Sequence, residues 1–180
     1  MRLKVYEIVL LILLASGLHM PPAACSAQPD ESQLKALFVL NFAKLTEWPA
    51  DTHVDGSTFT IAILGKVPSD SFTNMLKGRT VHGASITIRL VDNVRQAKDS
   101  QLIYVSDSER RRLPGILKEV SQYSILTVSD MPGFSEAGGM IGMLPVQNRL
   151  GFEVNLAAVR KARLTVSSQV LKLAKTVFNN

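Results

Sequence analysis

The stretch Thr58–Leu64 reads Thr-Phe-Thr-Ile-Ala-Ile-Leu and ends on Gly65. A run that apolar and rich in β-branched residues is the pattern of a strand in the middle of a sheet, covered on both faces. Three further runs read as strands: Ser85–Val91, alternating Ile86, Ile88 and Leu90 against Thr87 and Arg89, then Leu102–Val105 and Ser124–Val128. Between them lie helical patterns. Asp70–Leu76 is followed by Gly78, a helix-stop signal, and Pro114 suits the first position of a helix reaching about Ser121. Met140–Val146 and Leu150–Val154 suit a hairpin turning at Gln147-Asn148-Arg149, and Asn155 is placed to cap a helix over Leu156–Ala162. The last helix is expected to start at Ser167 or Ser168 and to gather Val170, Leu171, Leu173, Ala174, Val177 and Phe178 on one side. Strands alternating with helices imply an α/β fold, a three-layer Rossmann-like domain with a mostly parallel sheet and a late antiparallel hairpin. A content of 46% hydrophobic and 19% charged residues in a chain of 180 fits one domain over residues 28–180 and excludes a disordered chain.

The opening segment is set apart from that domain. Arg2 and Lys4 precede the apolar run Ile8–Leu14, and small residues from Ala23 to Ala27 follow Pro21 and Pro22. This is the order of a secretory signal peptide, expected to span residues 1–27 and to be cleaved after Ala27. The apolar run is short for a bilayer span, which takes about 20 residues. Export then places the mature chain outside the cytoplasm. Cys25, the single cysteine, would leave with the leader unless it is lipidated, so no disulfide or thiol chemistry is expected.

The helix at the start of the domain is less ordinary. Asp30 with Gln33 forms a capping-box pattern, and Leu34, Leu37, Phe38, Asn41, Leu45 and Trp48 fall on one helical face before Pro49 stops the helix. Val39, Leu40 and Ala43 make the other side apolar as well, so the helix is expected to be buried or to meet a partner. Asn41 in that stripe is expected to be buried and hydrogen-bonded.

Reactive chemistry finds little support. Gly65-Lys66-Val67-Pro68 offers one glycine where a dinucleotide loop needs three. His53 and His82 are isolated, no G-x-S-x-G elbow occurs, and Glu31, Glu47, Asp130, Glu136 and Glu153 are scattered. No catalytic residue, metal or cofactor is expected. The net charge of +5 comes with no aromatic stacking platform, so nucleic acid is not an expected partner. Arg110-Arg111-Arg112 is the sharpest basic cluster, read as solvated surface or as a contact for an anionic membrane surface or an acidic partner. Asp130-Met131-Pro132-Gly133-Phe134 with Gly138-Gly139 follows a strand, where open α/β sheets bind ligands.

Several blocks carry a family resemblance. Lys35 through Asn41 to Trp48-Pro49, Leu126 through Asp130 with Gly133-Phe134, Gly138-Gly139, Asn148 through Phe152 and Asn155 to Ala158, and Leu164 through Ala174 resemble the YfiR family of exported bacterial proteins. The similarity runs over Gln33–Val177. It implies a periplasmic α/β domain, commonly dimeric, that restrains an inner-membrane diguanylate cyclase and so lowers cyclic di-GMP and biofilm formation; the domain also serves as a sensory module of other membrane signalling proteins. Two departures stand out. Relatives often carry Cys near Ser100 and Gly where Arg163 stands, so redox control is not expected. Partner- or ligand-contact candidates are Phe38, Asn41, Phe42 and Trp48, Arg110–Arg112, Asp130, Phe134, Gly138 and Gly139, with Asn155. Two rival readings are a small-ligand sensor with its pocket at Asp130 and Gly138, and a hydrolase using Asp130 or Glu136.

Overall fold

A computed structural model describes residues 30–179 apart from residues 51, 53–56 and 148. The expected signal peptide, Cys25 and His53 lie outside the described residues. Asp30 opens helix α1 (Glu31–Lys44) through a full capping box: its carboxylate accepts from the Gln33 N–H at 2.7 Å, and its own N–H donates to Gln33 Oε1 at 3.1 Å. The helix stops at Lys44, well short of Pro49. The Thr46 hydroxyl donates to the Phe42 carbonyl at 2.7 Å, and Thr46–Glu47 turns into a short strand, β1. Its partner is Thr165–Val166, far along the chain. That pairing takes Trp48 off the helical face expected of it, and the indole N–H donates instead to the Gln101 carbonyl at 3.0 Å.

The inward stripe of α1 also differs from expectation. Ala36, Val39, Leu40, Phe42 and Ala43 are the buried residues, whereas Leu34, Leu37, Phe38 and Leu45 are half-buried and Asn41 is exposed. Asn41 therefore needs no buried hydrogen-bond partner. A helix apolar nearly all round has no polar face to orient it, so the core chooses the stripe.

In chain order the remaining elements are β2 (Thr58–Leu64), α2 (Asp70–Leu76), β3 (Thr80–Val81), β4 (Ala84–Val91), β5 (Leu102–Val105), α3 (Leu113–Val120), β6 (Leu126–Ser129), β7 (Ile141–Val146), β8 (Arg149–Asn155), α4 (Leu156–Lys161), β9 (Thr165–Val166), α5 (Ser168–Leu173) and β10 (Thr176–Phe178), with 3-10 turns at Val94–Ala97 and Asp107–Arg112. Eight strands join one sheet in the order β10-β8-β7-β6-β5-β2-β4-β3. β4, β2, β5, β6 and β7 run parallel, and β8 returns antiparallel against β7 as the expected hairpin. Alternation along β2 feeds two cores. Phe59, Ile61 and Ile63 meet α1, α2 and α4 on one face; Ala62 and Leu64 meet the Val94–Ala97 turn and α3 on the other. The protein is thus an α/β domain of three layers.

The last segment departs from the expected continuous helix. α5 ends at Leu173 because Ala174 adopts an extended backbone (φ −65°, ψ 136°). Thr176–Phe178 then adds a parallel strand to Glu153–Asn155 of β8. Val177 and Phe178 therefore belong to a sheet edge, where β-branched and aromatic residues fit well.

Candidate functional site

The carboxyl ends of β2 and β5 flank the point where strand order reverses, the usual ligand crevice of such sheets. Here the chain itself fills it. The Ser106 N–H donates to the Leu64 carbonyl at 3.0 Å, and the Lys66 N–H donates to Ser108 Oγ at 3.1 Å. Gly65 sits at φ +90°, and a Cβ there would meet Ser108 Oγ at 2.4 Å and Glu109 Cγ at 2.9 Å. The glycine serves the close approach of the Asp107–Arg112 turn.

The loop from Asp130 to Gly139 is a packed turn. Phe134 is 1% exposed in the core that α3 covers, and a Cβ on Gly139 would lie 2.2 Å from its ring. The Gly139 N–H donates to the Phe134 carbonyl at 2.9 Å and the Ala137 N–H to the Gly133 carbonyl at 3.0 Å. Ser129 Oγ donates to the Val105 carbonyl at 2.7 Å and accepts from the Met131 N–H at 3.0 Å, anchoring the loop to the sheet. Asn155 works behind it: its Oδ1 caps α4 at the Ala158 N–H and its Nδ2 donates to the Ser135 carbonyl, both at 2.9 Å. Gly138 is exposed at φ +106°.

Asp130 is held rather than offered. Lys35 Nζ lies 2.7 Å from Asp130 Oδ2 and 2.7 Å from Glu31 Oε1. Burial alone would raise the Asp130 carboxyl, but the Lys35 hydrogen bond, the neighbouring Tyr104 hydroxyl and the Lys35 charge together hold it below its ordinary range. For Lys35, burial works against the charged form and the bonds to Asp130 and Glu31 outweigh it, leaving its pKa raised. Tyr104, 1% exposed, is pushed up by burial first and then by the Asp130 charge. Among the described residues its hydroxyl closes no hydrogen bond of normal geometry. Lys35 and Tyr104 were not readable as partners of Asp130, because only the pairing of α1 with the end of β6 brings them together.

Arg110 Nη1 reaches the Pro132 carbonyl at 3.4 Å and its other nitrogen pairs with Asp107. Arg112 donates to the Asp92 carbonyl at 2.9 Å and lies 3.2 Å from Glu109. Both are spent on local bonds at the surface, and Arg111 is exposed beside them.

An apolar groove of about 330 Å³ opens elsewhere, lined by Phe38, Asn41, Phe42, Phe152, Val170 and Leu173 among others. Phe38, Phe42 and Phe152 form an edge-to-face trio, with centroids 4.9–5.9 Å apart. Such pairs add about 0.5–1.5 kcal/mol each beyond area burial. Phe42 and Phe152 are the buried floor, Phe38 is half-buried, and Asn41 supplies a polar rim. Leu173, expected to dock against the core, is instead 74% exposed at this rim; among the described residues it and Leu90 are the large hydrophobics left to solvent. Trp48 is not part of this groove: it lies at a separate one with Pro49, Phe59 and His82. The helix periodicity pointed to Phe38, Asn41 and Phe42, whereas Phe152 and Leu173 join them only through the β8 and α5 packing.

Residues 32–175 match the YfiR/HmsC-like family. The chain belongs to that family. It is a periplasmic, regulatory family tied to cyclic di-GMP signalling. No curated protein matches the sequence. Two solved structures are similar in fold. One is a conserved domain protein from Vibrio cholerae O1 biovar eltor, with TM-score 0.52, 9% identity, and coverage of 82% of this chain and 60% of that one. The other is the ABC domain from Streptococcus pneumoniae in complex with L-Trp, with TM-score 0.53, 11% identity, and coverage of 77% and 59%. The chain spans about three-fifths of each, and at these identities the likeness is one of fold. Among the described residues no cluster of His, Cys, Asp or Glu could hold a metal, and no helix is long and apolar enough to cross a membrane.

Proposed function

We propose that this YfiR/HmsC-like protein restrains an inner-membrane diguanylate cyclase by protein contact, so lowering cyclic di-GMP and biofilm formation, without catalysing a reaction itself. The groove of Phe38, Phe42 and Phe152 with Leu173 at its rim is the observation that carries the mode of action; the family supports the class of partner. The groove's occupant is an apolar segment of the cyclase's periplasmic portion. Restraint requires only tighter binding to the inactive than to the active state of the enzyme: a tenfold preference shifts that equilibrium by about 1.4 kcal/mol.

The test is removal of the gene with cellular cyclic di-GMP as the readout, beside co-purification of the tagged protein with a diguanylate cyclase from solubilised inner membrane. Raised cyclic di-GMP together with a captured cyclase is the expected result. Unchanged nucleotide levels, with no cyclase retained, would remove the reading.

A further inference from the structure

The amino ends of β5 and β6 frame a polar pocket of about 320 Å³, separate from the aromatic groove and at the opposite end of the strands from the 130–139 loop, lined by residues 98–101, 121–125 and 161–163 with Thr52, which also borders the Trp48 groove. That volume is at the lower end for small-molecule sites. Two of its hydroxyls are unusual. Ser100 is 2% exposed, and among the described residues neither its Oγ nor the buried Thr52 Oγ1 has a hydrogen-bond partner. A buried hydroxyl without a partner is uncommon in folded proteins.

The pocket also collects unneutralised positive charge. Lys98 and Lys161 line it, and neither ammonium has an ion-pair or hydrogen-bond partner among the described residues. Among the described residues Asp99 is the one carboxylate in the lining, against Lys98 and Lys161. Two helices end here, and helix C-termini disfavour anions. Their terminal carbonyls are, however, already occupied. In α3, Leu117 and Val120 accept from Ser121 and Tyr123 N–H groups at 3.1 and 3.0 Å, and Lys118 accepts from Ser121 Oγ at 2.9 Å. In α4, Ala158, Val159 and Arg160 accept from Ala162, Leu164 and Arg163 at 2.9–3.2 Å. The full charges of the lysines therefore dominate the weak residual dipoles.

We propose that this pocket binds a small oxyanion-bearing molecule, a phosphate ester or a carboxylate, with Lys98 and Lys161 holding the charge and Ser100 Oγ donating to one oxygen. A hydroxyl with no acceptor among the described residues, in a pocket that two unpaired lysines also line, offers the donors such an anion takes. The site is distinct from the aromatic groove and stands independently of the cyclase reading.

Thermal unfolding of the purified protein tests it, with inorganic phosphate and citrate as probes and sodium chloride at equal ionic strength as the reference. At several-fold excess over its dissociation constant, one of the two oxyanions should raise the melting midpoint by roughly 2–4 °C beyond chloride. The Lys98→Gln/Lys161→Gln variant should abolish that rise while keeping its circular dichroism spectrum, since both lysines are exposed. Ser100→Ala should weaken the titrated affinity severalfold. A shift with phosphate alone assigns the phosphate class, and one with citrate alone the carboxylate class. No shift beyond chloride with either probe, an undiminished shift in the double lysine variant, or unchanged affinity in Ser100→Ala would each overturn the proposal.

Discussion

At the carboxyl end of the sheet Phe134 is 1% exposed, and its ring leaves no room for a Cβ on Gly139; beside α1, Leu173 is 74% exposed above a floor made by Phe42 and Phe152. The first closes the crevice that this class of sheet commonly keeps for ligands with the polar Asp107–Arg112 turn and a loop pinned by the buried Phe134, and the second leaves an apolar surface facing water. The contrast shows that apolar content does not separate a core from an interface. What separates them is whether the chain supplies its own cover: the Asp107–Arg112 turn and the 130–139 loop do so at one place, while α5 ends at Leu173 too early to do so at the other. Exposed apolar surface next to a preformed groove is what an association driven by area burial needs.

Perturbing the closed end should cost stability, and the largest loss is expected there. Phe134→Ala should lower unfolding free energy by roughly 3–5 kcal/mol in urea titration. A loss below about 1 kcal/mol would mean that the loop is not packed as described. Gly139→Ala forces a methyl toward the Phe134 ring and should lose about 1–3 kcal/mol in the same assay.

The ion cluster under α1 gives a smaller, pH-dependent effect. Because Asp130 is held below its ordinary value of 3.8, its contribution is full above about pH 4 and is lost as pH falls through the lowered folded value. Lys35 is raised above 10.5, so its contribution is full below that value and lost as pH rises through the raised one. Asp130→Asn should therefore flatten the acid limb of the stability profile. Parallel acid limbs in the variant and the wild type would show that Asp130 carries no such linkage.

Smallest of all in stability is Leu173→Asp. The side chain is already in water, so the unfolding free energy should stay within about 0.5 kcal/mol of wild type. A larger loss would mean that Leu173 is covered in the isolated protein and would erase the contrast between the two regions.

Much of the sheet was legible in the sequence because its signals are local. Thr58–Leu64, Ser85–Val91 and Leu102–Val105 announce themselves by β-branched runs and alternation, and Asp30, Asn155 and Gly78 mark helix ends by their own chemistry. The failures lie where distant segments decide. α1 ends at Lys44 because Thr46 pairs with Val166, and Thr176–Phe178 leaves the helical pattern because Glu153–Asn155 offers an open strand edge. The candidate groove was half legible for the same reason: α1 carries Phe38, Asn41 and Phe42 in one local pattern, but nothing near them names Phe152 or Leu173. Asn41 and Phe134 exchange their expected places, since a polar residue in an apolar stripe and an aromatic in a glycine-rich loop are ambiguous until the core is assembled.

The most direct test of the regulatory reading is cellular cyclic di-GMP in a strain lacking the gene, complemented either by the wild-type protein or by Leu173→Asp at equal periplasmic abundance. Restraint through the aromatic groove predicts that the wild type returns cyclic di-GMP to its original level and that Leu173→Asp, though folded, leaves it raised. Full restoration by the Leu173→Asp protein would contradict it.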